Sequence, residues 1–288
     1  MRGRCDTTRR KVEETIAKVL MIGATVTVLG SLVLILGTIV WRGLPALNLD
    51  MLTQTPKGGY YLGKEGGILN AIVGSFYLAG GGTLLALVIS LPIALYLQIY
   101  AARTRRAELA RLALDVLWGI PSIVYGAFGF IIMLAIGMRA SLLGGIITLA
   151  LLELPIIVRG MDEAIALVPS SLREASLALG ATRLETAIKV VARQTAPALL
   201  TAVLLAFGRG IGDAASVLFT AGYTDRLPDS LFSPAASLPL AVFFQLGTPF
   251  PAVQERAYAS ALVLTVIVLA ISLISRRLAG RLTKHVIR

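Results

Sequence analysis

The sequence predicts an all-α polytopic membrane protein with six transmembrane helices and both termini on the cytoplasmic side. Three observations predict it. Of 288 residues, 56% are hydrophobic and only 15% charged, against roughly 25% charged in soluble domains, and the mean hydropathy is +0.81. Six apolar stretches come close to or exceed the about 20 residues that a helix needs to cross a bilayer. The basic residues are shared unevenly among the segments between those stretches.

The first stretch, 19–41, carries no charge until Arg42. Basic residues precede it, as in a signal peptide. Its apolar run is longer than the roughly 7–15 residues of a signal core, and no small-residue cleavage site stands before Trp41. An uncleaved helix is expected. The second stretch, 68–100, is too long for one straight span, and Gly80, Gly81, Gly82 and Pro92 are its candidate bends. The third, 112–137, contains Pro121. The fourth, 141–158, carries Glu153 and Pro155. The fifth, 195–220, carries Arg209 and Asp213, and the sixth is 258–274. Helix-interior prolines are tolerable in such spans because neighbouring helices satisfy the freed backbone groups. The segment 221–257 holds Pro228, Pro234, Pro239, Pro249 and Pro251. Its apolar part, 237–246, is too short to cross and reads as a re-entrant or interfacial helix.

With the N-terminus inside, 20 of the 27 basic residues fall in the inner segments 1–18, 101–111, 159–194 and 275–288. Six fall in the outer segments 42–67, 138–140 and 221–257, and Arg209 lies within a span. That is a strong positive-inside asymmetry. It also explains the net charge of +11 without nucleic acid, because the charge is split among four separate inner segments. The expected organisation is one transmembrane domain, 19–274, between basic cytoplasmic tails at 1–18 and 275–288. Within the domain, 159–194 is a cytoplasmic loop and 221–257 an extracytoplasmic one. A single cysteine, Cys5, permits no intramolecular disulfide. A single histidine, His285, excludes His-based triads, His-ligated catalytic zinc and haem.

Two nucleotide-binding look-alikes fail on context. Gly58-Gly59-Tyr60-Tyr61-Leu62-Gly63-Lys64-Glu65 approaches a P-loop, but Glu65 stands where Ser or Thr would ligate magnesium, and no strand is expected before it. Gly210-Ile211-Gly212-Asp213-Ala214-Ala215 fits a dinucleotide pattern yet lies inside a span. The chain is therefore expected to bind no nucleotide itself. Gly208 and Gly212 form a small-xxx-small face that suits close helix packing or a pathway lining. Arg209 and Asp213, four apart, are expected on one helix face. A charge at that depth costs at least a few kcal/mol and ordinarily faces a bundle interior or an aqueous cavity. Two readings stand. One is a structural ion pair. The other is an anion pathway in which Arg209 attracts the anion and Asp213 holds the arginine or answers a substrate proton. Arg159, Asp162 and Glu163 end the fourth span, either as an ordinary basic flank or as part of that pathway. Glu153 is expected to hydrogen-bond to a neighbouring helix.

The loop 159–194 is long, mixed in charge and helical in pattern. Leu177, Leu184, Ile188 and Val191 recur at mostly helical spacing, and Gly180 between two helical pieces allows a bend. A helix–Gly–helix element of this kind points to docking of a soluble partner, with a loop that packs only on its own bundle as the alternative.

Glu174-Ala175-Ser176, with Gly180 six residues after the glutamate, resembles the EAA loop of ABC importer permeases. A closer resemblance, covering nearly the whole chain, is to PstA-type phosphate permeases. It rests on Gly66-Gly67-Ile68-Leu69-Asn70-Ala71-Ile72-Val73-Gly74-Ser75, on Leu154-Pro155-Ile156-Ile157-Val158-Arg159, on Val168-Pro169-Ser170-Ser171-Leu172-Arg173-Glu174-Ala175-Ser176 and on Ser237-Leu238-Pro239. The family's Arg-x-x-Gly-Glu-Thr-Ala-Pro run reads Arg209-Gly210-Ile211-Gly212-Asp213-Ala214-Ala215-Ser216 here, with Glu, Thr and Pro replaced by Asp213, Ala214 and Ser216. The family's acidic residue three after the fourth-span arginine is matched by Asp162. The Ile-x-Leu-Pro that closes the EAA pattern is absent, with Val190, Ala192 and Arg193 in its place.

The resemblance implies a type I ABC importer permease fold in a prokaryotic inner membrane, surrounded by lipid. It implies one permease subunit of an ATP-driven inorganic phosphate importer, without enzymatic activity of its own. A PstC-like second permease, a PstB-like ATPase dimer that binds ATP and magnesium, and a PstS-like phosphate-binding protein would complete the assembly. Glu174, Ala175, Ser176 and Gly180 would couple to the ATPase, and Arg159, Asp162, Arg209 and Asp213 would line the substrate pathway. An importer of another oxyanion, such as sulfate or molybdate, is the nearest alternative. A polytopic enzyme acting on lipid would need a nucleophile–base set or metal ligands that the sequence does not supply, and a channel would not need the 159–194 loop.

Overall fold

The computed structural model describes residues 3–57, 65–102 and 104–282, so Gly58 to Lys64 of the P-loop look-alike and His285 lie outside the described residues. Among the described residues, five helices are long and apolar enough to cross a membrane, and a bent helix pair makes a sixth. The architecture is a helical bundle built around the pair α3 (Leu69–Ile99) and α6 (Leu142–Ala166). These two come close because α3 carries no side chain where α6 presses on it. A Cβ on Gly82 would stand 2.8 Å from Leu149 Cβ, and one on Gly81 would stand 2.6 Å from Ile146 Cδ1. Of the glycines expected to bend this span, Gly81 and Gly82 are thus contact points, and nothing lies within 4 Å of a Cβ at Gly80. The helix runs unbroken through Gly80, Gly81, Gly82 and Pro92 for 31 residues, about 46 Å at 1.5 Å per residue.

α1 runs from Gly3 to Gly43. The segment expected as a separate tail is therefore helical from residue 3 onward and continuous with the first span. A short helix, α2 (Leu49–Thr53), starts where the Asn48 side chain accepts from the Met51 N–H. A two-residue ladder follows, with β1 (Pro56–Lys57) antiparallel to β2 (Glu65–Gly66). The expectation of no strand before Gly58 is thus corrected. The strand belongs to a hairpin, because Pro56 and Lys57 pair with Gly66 and Glu65 and not with a parallel sheet.

The expected third span is two helices. α4 (Arg105–Gly119) and α5 (Ser122–Ala135) meet at 98°. The cause is local: Ile120 precedes proline and is forced into extended backbone (φ −72°, ψ 131°), so Pro121 caps α5 and does not sit inside a helix.

α6 continues to Ala166, eight residues past its expected end at Val158. α7 (Ser170–Ala178) follows, then α8 (Arg183–Glu185), a π-helical stretch Thr186–Ala192 and α9 (Arg193–Gly212). The second helical piece of the 159–194 loop is therefore continuous with the fifth span. α9 stops at Gly212, where a span to Thr220 was expected, and Asp213 is already extended (φ −84°, ψ 123°). The residues beyond it pack as irregular backbone inside the protein, which is the condition for such backbone at membrane depth. Ser216, Val217 and Thr220 are buried, Thr220 O accepts from Ser141 N at 2.9 Å, and Ala221 O accepts from Ala235 N at 3.0 Å. α10 (Leu238–Leu246) is the short apolar helix expected at 237–246, capped by the Ser237 hydroxyl and tied to α3 where Leu238 N–H donates to Ser75 Oγ at 2.8 Å. α11 (Pro251–Leu282) extends the expected last span in both directions. A buried core joins α3, α4, α6 and α9 through residues such as Ala86, Leu97, Leu114, Ile157, Met161 and Ala206.

Candidate functional site

Arg209 occupies the last turn of α9 and Asp213 is its C-cap residue. They do not share a helix face, because the helix ends between them. Asp213 turns instead to the chain that follows. Its Oδ2 accepts from Ser216 N at 2.8 Å and from Ser216 Oγ at 2.5 Å, while Oδ1 makes no hydrogen bond among the described residues. Arg209 is exposed on the chain, and among the described residues it has neither a hydrogen-bond nor an ion-pair partner. The structural ion pair weighed from the spacing is therefore absent among the described residues. An unpartnered guanidinium and a carboxylate with one free oxygen stand at the same end of α9.

Between them, Gly210 is buried and faces Glu153 of α6. A Cβ at 210 would stand 3.1 Å from Glu153 Cδ and closer still to its Oε1. Glu153 is 0% exposed, and neither carboxyl oxygen has a hydrogen-bond partner among the described residues. Thr83 of α3 lies beside it but outside hydrogen-bonding geometry. The hydrogen bond expected for Glu153 is thus replaced by packing against α9 backbone. The tight helix contact falls on Gly210 and not on the expected Gly208 and Gly212. Gly208 meets Ile271 at an ordinary 3.9 Å, and nothing lies within 4 Å of a Cβ at Gly212.

Arg159 and Asp162 lie further along α6. Six residues separate Glu153 from Arg159, about 9 Å along the helix axis. Asp162 is 3% exposed, and its carboxylate is filled. Oδ2 accepts from Arg111 Nε at 2.8 Å, and Oδ1 from Arg111 Nη2 at 3.1 Å and from Gln98 Nε2 at 2.9 Å. This bidentate arrangement is the strong form of an arginine–carboxylate pair. Arg159 Nε lies 2.8 Å from Asp115 Oδ1, an ion-pair contact outside hydrogen-bonding direction, with Asp162 Oδ2 at 3.8 Å and Glu163 Oε1 at 3.9 Å. This network joins α3, α4 and α6, and among the described residues no hydrogen bond or ion pair links it to Arg209 or Asp213. Sequence reasoning missed Gln98, Arg111 and Asp115. The four-residue spacing of Arg111 and Asp115 on one helix was the available signal, hidden by their position at the edge of a basic segment.

Glu174, Ala175 and Ser176 lie on α7, the first two exposed and Ser176 half-buried. Ser176 Oγ is 2.9 Å from Thr186 Oγ1, which holds α7 against the next helix. Gly180 has φ +85° and terminates α7 in a Schellman motif: Ala181 N donates to Ser176 O at 3.2 Å and Gly180 N to Leu177 O at 3.0 Å. Thr182 and Glu185 form a capping box that starts α8. Leu177, Leu179, Leu184 and Ile188 stay exposed. Arg173, which the sequence did not single out, anchors the element. Its Nη2 donates to Ile165 O at 2.7 Å and its Nη1 to Gln98 O at 3.4 Å, so α7 is fastened to the ends of α6 and α3. Burial lowers the pKa of this guanidinium from its ordinary value.

Residues 86–288 match the family described as binding-protein-dependent transport system inner membrane component. The chain belongs to this family. The permease is 35% identical over 239 residues to the phosphate transport system permease protein PstA of Haemophilus influenzae, with 83% of each chain covered. It is 36% identical over 249 residues to PstA of Xylella fastidiosa strain 9a5c, with 84% of each covered. It is 33% identical over 270 residues to PstA 1 of Mycobacterium tuberculosis strain H37Rv, with 93% of this chain and 87% of the relative covered. Two solved structures share its fold. An inward-facing MetNI methionine ABC transporter has a TM-score of 0.61 at 20% identity, covering 75% of the permease and 96% of the matched chain. A bacterial alginate ABC transporter has a TM-score of 0.62 at 14% identity, with both chains fully covered. The permease therefore has the all-α type I ABC importer permease fold and is an inner-membrane transport subunit.

Proposed function

We propose that the permease is one membrane subunit of an ATP-driven importer of inorganic phosphate. The observation that carries this reading is its 35% identity over 83% of the chain to a PstA phosphate permease. The geometry at the end of α9 agrees with the cargo. Among the described residues Arg209 is an unpaired cation for an oxyanion, and Asp213 offers one unengaged carboxylate oxygen at the same end of α9. A carboxylate on an anion's route repels a fully deprotonated oxyanion. It accepts a hydrogen bond from one that still carries a proton, as phosphate does at neutral pH and sulfate does not. Arg159 and Asp162 act further along the pathway, with Asp162 engaged in holding Arg111 and Arg159.

On this reading the basic end of the bundle is cytoplasmic. The exposed α7 with Glu174, Ala175 and Ser176, and the αL turn at Gly180, seat in a groove of a PstB-like ATPase dimer. That partner binds ATP and magnesium and does the hydrolysis. A PstC-like permease completes the pathway, and a PstS-like protein delivers phosphate outside. Movement of α7 reaches the pathway through Arg173, which grips α3 and α6.

The test is labelled phosphate uptake in cells lacking a high-affinity importer, with the partner subunits supplied. Arg209→Ala is expected to abolish uptake while the complex still assembles. Asp213→Asn is expected to narrow the preference for phosphate over sulfate. Wild-type uptake by Arg209→Ala would make that residue structural, and sulfate uptake by the unmutated complex would move the cargo to another oxyanion.

A further inference from the structure

At the end of the bundle where α1 leaves and α11 begins, two neighbouring cavities share Trp41 and Pro45 in their walls. The first, about 300 Å³, mixes polar and apolar walls and is lined by Trp41, Arg42, Gln254, Glu255 and Tyr258 with two prolines, Pro45 and Pro251. The second, about 770 Å³, is an apolar groove along α1 formed by Val33, Leu36, Gly37, Val40 and Leu44. Trp41 and Pro45 border both. The groove residues recur every three to four positions, so they make one stripe down the helix. Gly37 notches that stripe, because nothing lies within 4 Å of where its Cβ would be.

The first cavity has a close-packed wall and two charges without an ion-pair partner among the described residues. α1 and α11 touch so closely that a Cβ on Gly43 would stand 2.6 Å from Tyr258 O, which makes this wall of the cavity unyielding. The Arg42 guanidinium lies 5.3 Å above the Tyr258 ring, with its Nη1 3.5 Å from the Tyr258 hydroxyl. Among the described residues, Arg42 has no acidic partner and Glu255 has no basic one. One cation and one anion, neither with an ion-pair partner among the described residues, line one cavity that shares Trp41 and Pro45 with an apolar groove. Tryptophan is the residue typical of the membrane–water boundary.

We propose that this is a phosphatidylethanolamine site. Arg42 takes the phosphate, Glu255 takes the ammonium, and one acyl chain follows the Val33–Gly37–Val40 stripe. The chemistry selects this headgroup. A phosphatidylglycerol would bring only negative charge to a cavity that contains Glu255. A phosphatidylcholine has no N–H with which to reach that carboxylate. Free inorganic phosphate would leave the groove empty. The site is independent of the Arg209 pathway and does not rest on the identity of the cargo.

The test uses the full chain purified with its partner subunits in mild detergent, with native mass spectrometry and lipid extraction as readouts. The wild type is expected to retain one phosphatidylethanolamine per chain, and millimolar inorganic phosphate is expected to leave it bound. Arg42→Ala should lower occupancy about tenfold, the effect of losing one charge-assisted hydrogen bond. Glu255→Gln should abolish the preference over phosphatidylglycerol in nanodiscs of defined composition. Gly37→Trp, which fills the groove on an open helix face, should expel the lipid while the complex elutes unchanged. Retention at wild-type level by Arg42→Ala and Gly37→Trp overturns the proposal. So does release by inorganic phosphate, and so does cross-linking of Gly37→Cys to the second permease with no lipid retained.

Discussion

Gly210 and Glu153 give a sharp quantitative test of the packing beneath Arg209. Gly210→Ala places a methyl group 3.1 Å from Glu153 Cδ and within overlap of Oε1, in a site where Glu153 is fully buried. Overpacking of this kind costs about 1–3 kcal/mol. Alanine in place of glycine within a helix returns about 1 kcal/mol. The single substitution should therefore lower stability by up to about 2 kcal/mol. Glu153→Ala removes the obstructing carboxyl, so in that background Gly210→Ala should stabilise by about 1 kcal/mol. The coupling between the two positions is then about 1–3 kcal/mol, within the range for residues in direct contact. The assay is the apparent melting temperature of the detergent-solubilised complex by fluorescence-detected size exclusion. At about 2 °C per kcal/mol for a chain of this size, the two backgrounds should respond with opposite sign and differ by several degrees. Equal shifts in both backgrounds would refute the contact. The same pair should govern transport, because Gly210 sits between Arg209 and Asp213. Uptake lost in Gly210→Ala should return in part in the double variant.

Three further predictions concern the end of the bundle that carries α7. Asp162→Ala strands Arg111, which the carboxylate now holds at 2.8 Å, and should destabilise the complex by roughly 2 kcal/mol, read as a lower apparent melting temperature. Double substitution of Asp162 and Arg111 by apolar residues should recover most of that loss. Arg173→Gln cuts the links from α7 to Ile165 O and Gln98 O. It should leave basal ATPase activity in the reconstituted complex but abolish its stimulation by phosphate-loaded binding protein, and intact stimulation would remove Arg173 from the coupling route. Gly180→Ala forces a side chain into φ +85°, at about 1–2 kcal/mol. It should lower the affinity of the membrane subunits for the ATPase, measured by co-purification.

Hydropathy located the spans because a helix that faces lipid must be apolar along about 20 residues whatever it packs against. α1, α3, α6 and α11 were therefore legible as segments, although their ends were not. Helices continue past the membrane-facing run wherever no breaker stops them, as α1 and α11 do. The kink at Pro121 was half legible: the proline was noticed, but its consequence depended on Ile120 adopting extended backbone and giving a 98° turn. The helix–Gly180–helix order was legible, because a glycine bend is local chemistry, but the Thr182–Glu185 capping box and the continuity of the second piece with α9 were not read from the sequence.

The sequence by itself determined the class of protein, the number of membrane segments, the family and the choice of Arg209 as a candidate site residue. Each follows from composition or from residues adjacent in the chain. Tertiary structure alone decided which charges are spent and which are free. Spacing placed Arg209 and Asp213 together on a helix, but α9 ends at Gly212, so Asp213 binds Ser216 and Arg209 has no partner among the described residues. Asp162 looked like Asp213 in the sequence, yet Arg111, 51 residues away, fills its carboxylate. A helix end and a long-range ion pair are both set by what packs against the chain, and that information is not present at the residues themselves.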